Sequence, residues 1–273
     1  MQGKPLKYSA IIAEWYYDQL IKAVYAMEKA TKREILGEYE PSEVAMDALA
    51  IEMRTVVYKL IKRFDKYFRQ FGAEVADKFI KKQLRFVKSS VKEAIKPLEP
   101  SGASLAIKGS IINKSNYNTV KMAVVENVNL IKTIPEQYFK DIVGAVTRSM
   151  EFGGSLEQLR KDIEHIGGVS ERRARLIAND QTRKVYEGIA LRQLIDAGYE
   201  KVQWHHSGGG KEPREYHLRK WDGVSNNPPN GLNGYIFNIN EPPIIQFAKG
   251  KQPEVRGYPS VLINCRCFLT PVR

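Results

Sequence analysis

Cysteine is nearly absent, with two thiols in 273 residues. That excludes a disulfide framework, and in a reducing compartment such cysteines act as thiols or metal ligands. Long apolar runs are missing as well. No stretch reaches the roughly 18 to 20 consecutive apolar residues of a membrane span. The opening Met1-Gln2-Gly3-Lys4-Pro5-Leu6 lacks the apolar core of a signal peptide. The expectation is a chain made and used on the cytoplasmic side, with no membrane partner. Catalytic signatures are equally scarce: there is no G-x-S-x-G elbow, no H-E-x-x-H, no P-loop and no G-x-G-x-x-G ahead of a helix. The chain reads as a non-enzyme, and it contains no repeat array.

Positive charge is in excess. Lys and Arg number 43 against 31 Asp and Glu, a formal net charge of +12, which suits a polyanion such as nucleic acid. The 43% apolar and 27% charged composition is that of a soluble globular chain with enough material for a core. Much of the excess charge has one address. Lys78, Lys81, Lys82, Arg85, Lys88, Lys92 and Lys96, at about 100° per residue, fall within roughly a third of a helix circumference. Ile80, Val87 and Val91 point the other way. Such a stripe suits a phosphate backbone, where each neutralised charge releases counterions without reading bases. The alternative is a solvated outer face of an amphipathic helix.

The spacing of apolar residues predicts an α+β chain with extended, mainly helical N-terminal and middle regions and a small C-terminal α+β module. Residues 1–100 read as an N-terminal helical arm. It comprises a first helix over about residues 8–30, a break at 37–41, and a helix of up to about 55 residues from Pro41 to Pro97. A helix that long is expected to lie across a partner or extend from the body. Residues 101–134 read as a linker with a short strand near 105–112. Residues 135–198 read as a helical middle. Thr133 and Glu136 around Pro135 open one helix, Ser155 and Gln158 a second that ends at Gly167-Gly168, and Ser170 a third that stops at Gly198. Residues 199–273 form the C-terminal module, with strands at 202–206 and within 258–271.

Three constellations bear on function. Cys265 and Cys267, on a strand of period two, would present both thiols on one face. His217 is then the best third ligand and Asp222 or a second histidine the fourth, the donor set of a small structural zinc site; the alternative is a reduced, buried pair of small apolar residues. A disulfide between positions i and i+2 is geometrically poor. His205, His206, His217, Glu215 and Arg214 can be drawn as the acid, base and phosphate clamp of a nuclease, although nothing in the sequence fixes their geometry. Trp15, Tyr16 and Tyr17 are adjacent on a helix and cannot all face one core; core packing of one or two is the default, and the three are candidates for a partner interface through whichever remains.

The C-terminal half carries a resemblance. The series Arg173-Ala174-Arg175-Leu176-Ile177-Ala178-Asn179-Asp180-Gln181-Thr182, then Gly198-Tyr199 leading into Val202-Gln203-Trp204, then Arg214-Glu215-Tyr216-His217 with Trp221-Asp222-Gly223, and finally Asn264-Cys265-Arg266-Cys267, resembles the phage Mu F-like minor head proteins, also called phage head morphogenesis proteins. The segment Asn129 to Pro135 extends the likeness upstream, so it spans about residues 129–273. The resemblance implies a structural protein of a tailed-phage head, located in the virion near the portal and in the host cytoplasm during assembly. Its implied partners are the portal protein, the major capsid or scaffold protein, and packaged double-stranded DNA. Some members have a cysteine pair where this chain has Arg214-Glu215-Tyr216-His217, and His-Pro where it has Ser260-Val261-Leu262-Ile263. The carried-over ligand candidates are therefore His217, Cys265 and Cys267. A phage-encoded nuclease and a freestanding DNA-binding protein remain the rival readings.

Overall fold

Apolar residues three and four apart need a common helix face, and four long helices provide it. In a computed structural model that describes all residues except 39–45, 100–116, 152–154, 210–212 and 226–227, α1 spans Ala10–Glu38, α2 Met46–Ile95, α3 Tyr117–Glu151 and α4 Leu156–Asp196. The remainder is short: β1 (Lys201–His205), the single-turn α5 (Glu215–Leu218), β2 (Ile236–Asn238), β3 (Ile244–Gln246), β4 (Val255–Arg256) and β5 (Phe268–Val272). The α+β, mainly helical expectation holds. The expected loop and strand at 101–118 fall almost wholly outside the described residues.

The chain forms two compact units, neither continuous in sequence. One comprises residues 13–79 and 124–179 and is helical in all its described residues but Ser155, which precedes α4. Its core takes Leu20, Val24 and Met27 from α1, Met53, Leu60 and Phe68 from α2, Ile131, Tyr138 and Ile142 from α3, and Leu159 and Ile163 from α4. Each such side chain contributes about 1.5–3 kcal/mol relative to exposure.

Several expectations about this unit are corrected. The start expected at Thr133 and Pro135 is absent, because α3 begins sixteen residues earlier at Tyr117 and Pro135 lies inside it. The Thr133 hydroxyl does not cap. It donates to the Leu130 carbonyl at 2.6 Å and accepts from Arg173 at 2.6 Å. Nor do Gly167 and Gly168 end a helix, since α4 runs through them and through the buried Ser170. A Cβ at Gly167 would sit 2.6 Å from the Glu28 carboxyl, so the missing side chain permits close approach of α1 and α4. The 50-residue α2 buries one face within the chain, with Met53, Val57, Leu60, Phe64 and Phe68 covered, while Tyr58 and Tyr67 are exposed.

The other unit comprises residues 1–12, 80–123 and 180–273. Ile80, Leu84, Val87 and Val91 of α2 and Ile189, Ala190 and Leu194 of α4 supply its helical core. At the end of α4 the Gly198 N–H donates to the Ile195 carbonyl and the Tyr199 N–H to the Leu194 carbonyl, with Gly198 at φ +81°. This is the left-handed stop that glycine provides at least steric cost. It turns the chain into β1, the centre of an antiparallel sheet ordered β2-β1-β5. Residues Gln2 and Leu6 bridge to Val272 and Leu269 at the outer side of β5. β3 and β4 form a separate antiparallel pair.

Candidate metal centre

Trp204 alternates inward on β1 and is fully buried. Its ring meets His217 edge-on, with centroids 5.2 Å apart and planes at 78°. The single turn of α5 holds His217 through its N–H to the Arg214 carbonyl at 2.9 Å. The imidazole is 2% exposed, and Nε2 lies 2.9 Å from the carbonyl oxygen of Ile245 in β3. A carbonyl only accepts, so Nε2 carries the proton and, in the neutral ring, Nδ1 keeps its lone pair. Nδ1 lies 3.8 Å from each of the Cys265 and Cys267 sulfurs.

The two thiols reach this place by a route that strand alternation did not anticipate. They precede β5 rather than lying on it, correcting the expected strand placement. Ser260 and Asn264 have left-handed backbones, φ 69° and 61°, and the Cys265 N–H donates to the Leu262 carbonyl at 3.0 Å. Asparagine tolerates that region better than most residues. The resulting tight turn points both sulfurs at His217. A hydrogen bond from Cys267, aided by His217 and the Ser260 backbone, holds the Cys265 thiol well below the ordinary thiol range against the opposing effect of burial. The same bond, together with burial, pushes Cys267 upward. The Trp204 indole N–H forms no well-formed hydrogen bond but lies by the Cys267 sulfur and favours its thiolate. Both sulfurs face the nitrogen lone pair of His217.

All three donor atoms lie within 4.8 Å of one another and all three residues are buried. Zinc bond lengths of about 2.3 Å to sulfur and 2.0–2.1 Å to nitrogen, at the tetrahedral angle, give a donor separation of about 3.6 Å. The observed 3.8 Å therefore fits such an ion. The Nε2 bond to Ile245 is the outer-shell contact that fixes a ligating imidazole. Asp222 is not brought to the cluster: its Oδ1 accepts from the Val224 and Ser225 N–H groups, each at 2.9 Å, in a surface turn.

The remaining candidates disperse. His205 stacks on Phe268, the His206 Nδ1 accepts the Gly208 N–H at 3.0 Å, Glu215 pairs with Arg219 at 2.6 Å, and Arg214 donates to the Ile263 carbonyl. These contacts do not assemble the acid, base and phosphate clamp of a nuclease. Two of the three adjacent rings belong to the core, which leaves Trp15 as the interface candidate. Tyr16 is 0% and Tyr17 6% exposed, with Tyr16 stacked on Phe79 at 4.2 Å and its hydroxyl donating to Asn127. Trp15 is half-buried. Of the basic stripe, Lys78, Lys81, Lys82, Arg85, Lys92 and Lys96 are exposed and Lys88 is half-buried.

The cysteine turn is anchored from a distant helix, as the Asn264 N–H approaches Asp180 Oδ1 of α4 at 3.4 Å. Residues 140–270 match the family described as phage Mu protein F like protein. Residues 140–270 are similar to that family. A Haemophilus influenzae protein described as uncharacterized is 25% identical over 98% of this chain and 55% of its own length, so the chain spans about half of that relative. No solved structure matches. Within the Mu F-like segment the motifs that carry the resemblance converge: Asp180 meets Asn264, and Trp204 and the two thiols meet His217. No helix among the described residues is long and apolar enough to cross a membrane.

The signals missed in the sequence are Ser260 and Asn264, whose backbones shape the turn, and the buried Arg183 and Glu187 of α4. Charged residues in an amphipathic helix read as an outer face, so nothing in the sequence marked that pair as interior.

Proposed function

We propose that the chain is a minor structural protein of a tailed-phage head that acts in head assembly at or near the portal, with the portal and the major capsid or scaffold protein as partners. The observation that carries this reading is the Mu F-like match over residues 140–270. The exposed lysines and arginine of α2 and the turn after it support an added role against packaged double-stranded DNA. Neutralised phosphates there would give affinity that falls steeply with salt. His217, Cys265 and Cys267 would hold a structural zinc ion that ties α5 to the chain entering β5. The ion would have no catalytic duty in this reading.

Imaging of assembled heads tests the central claim. Density for this chain is expected beside the portal, and its absence from purified particles overturns the proposal. For the DNA contact, replacing Lys81, Lys82 and Lys88 by Ala is expected to lower both affinity and the slope of log affinity against log salt. An unchanged slope returns these residues to a solvated helix face. Elemental analysis of protein purified without added metal should give one zinc per chain, falling to none in Cys267→Ser. Turnover of DNA or RNA that is lost in His217→Ala would favour the nuclease reading instead.

A further inference from the structure

We propose that the cavity beside the cysteine turn binds a small ligand with a phosphate on a flat apolar body, the class of a nucleoside monophosphate. The cavity has a volume of about 400 Å³, within the range of about 300–1,000 Å³ typical of small-molecule sites. It lies wholly within one unit, walled by the N-terminal residues, α4, the turn after β1 and the entry to β5. Lys7, Arg183 and Arg266 reach it against a single acidic side chain, Glu187.

Two of these groups are buried without complete internal partners. Arg183 is 7% and Glu187 5% exposed, yet Arg183 Nε and Glu187 Oε1 have no hydrogen-bond partner. They stand four residues apart on α4, the spacing of a helical ion pair. Instead of pairing with Glu187, the Arg183 guanidinium stacks over the Tyr8 ring at 4.8 Å and donates to its hydroxyl at 3.1 Å. Buried polar groups are ordinarily satisfied, so two exceptions lining one cavity mark where a ligand supplies an acceptor to Arg183 Nε and, from a hydroxyl or amino group of its nucleoside body, a donor to Glu187 Oε1. A phosphate accepts from guanidinium groups in a geometry that suits arginine. Leu6, Ala10 and Tyr186 give the walls apolar surface for a flat body, while the Tyr8 ring is covered by Arg183 and the Phe268 ring by His205 and Lys7. None of this rests on the head-protein reading, and either can fail without the other.

Calorimetric titration of the full chain with adenosine monophosphate, inorganic phosphate and adenosine tests the proposal. We expect one saturable nucleotide site, at least about tenfold tighter than for phosphate or nucleoside alone, a gap of about 1.4 kcal/mol. Ala10→Trp, which fills the cavity from an exposed rim position, and Arg266→Gln are each expected to weaken binding about tenfold with an unchanged melting temperature. Absence of saturable binding at millimolar nucleotide overturns the site, as does wild-type affinity in both variants. Equal affinity for nucleotide and nucleoside overturns the phosphate contact, and equal affinity for nucleotide and phosphate overturns the flat body. Binding that survives Ala10→Trp but disappears when Lys81 and Lys82 become Ala would assign it to general surface charge and overturn the proposal as well.

Discussion

The helical unit and the C-terminal residues 199–273 bury their cores in opposite ways. In the first, helices of 29 to 50 residues contribute apolar stripes, and each buried side chain repeats what its neighbours three and four positions away already do. In the second, strands of two to five residues form one sheet of three and one of two. Short strands alone are marginal in water. Here a few contacts between residues far apart in sequence do the joining, above all Trp204, His217, Cys265 and Cys267. Redundancy protects the helical unit from loss of any one contact, whereas the C-terminal residues depend on one cluster.

The largest test of that contrast is removal of the cluster. Cys267→Ser, or a strong chelator, is expected to unfold much of 199–273 and destabilise it by more than about 4 kcal/mol, seen as lost near-ultraviolet circular dichroism with most helical signal retained. Simultaneous loss of the helical signal would break the comparison. Next comes Tyr16→Ala in the helical unit, where a fully buried ring stacked on Phe79 is lost; denaturant titration should show a cost of about 3–5 kcal/mol. Two glycines sharpen the difference. A Cβ at Gly231 would lie 2.3 Å from the Arg219 carbonyl oxygen, which is backbone and cannot swing aside, so Gly231→Ala should cost about 1–3 kcal/mol. At Gly167 the obstacle is the movable end of Glu28. The gain of about 1 kcal/mol from helix propensity then offsets the disturbed Glu28–Lys32 pair, and Gly167→Ala should be near neutral in a thermal melt.

The smallest effect concerns acid. Partial burial of Glu34 raises its carboxyl, but hydrogen bonds from Arg63 and Arg33 outweigh that and leave it below the usual carboxylate range. A depressed pKa means that the unfolded chain binds the proton more readily. The contribution is therefore present above the unfolded value of about 4.3 and is lost as pH falls through the lower folded one. Melting temperatures of wild type and Glu34→Gln should differ at neutral pH and converge in that acid window. A gap that persists below it would assign the difference to packing.

Much of the fold was legible because helix periodicity and end signals are local. The Ser155 cap exists, with the Gln158 N–H donating to Ser155 Oγ at 3.1 Å, and the Gly198 stop exists. Pro135 and Gly167-Gly168 misled because their penalties, about 3 and 1 kcal/mol, are smaller than the tertiary burial on either side. Ile131, Ile134 and Tyr138 flank the proline, and Ile163 and Ala174 the glycines, all buried. The meeting of His217 with Cys265 and Cys267 was anticipated from residue types. The sequence reading placed the thiols on a strand, whereas a turn shaped by two left-handed residues points them there. The interior placement of Arg183 and Glu187 had no local signal at all, because only the assembled unit shows which side of α4 is covered.

The pairing of the first residues with the last has a consequence for the order of events during synthesis. The Gly3 N–H donates to the Pro271 carbonyl and the Leu6 N–H to that of Leu269, 268 and 263 positions away. Loop closure over such a span is slow compared with helix pairing. All residues of the helical unit have left the ribosome once Asn179 emerges, so that unit can fold while the chain is still growing. Residues 2–6 must wait, without their β5 partners, until residues 268–272 have emerged.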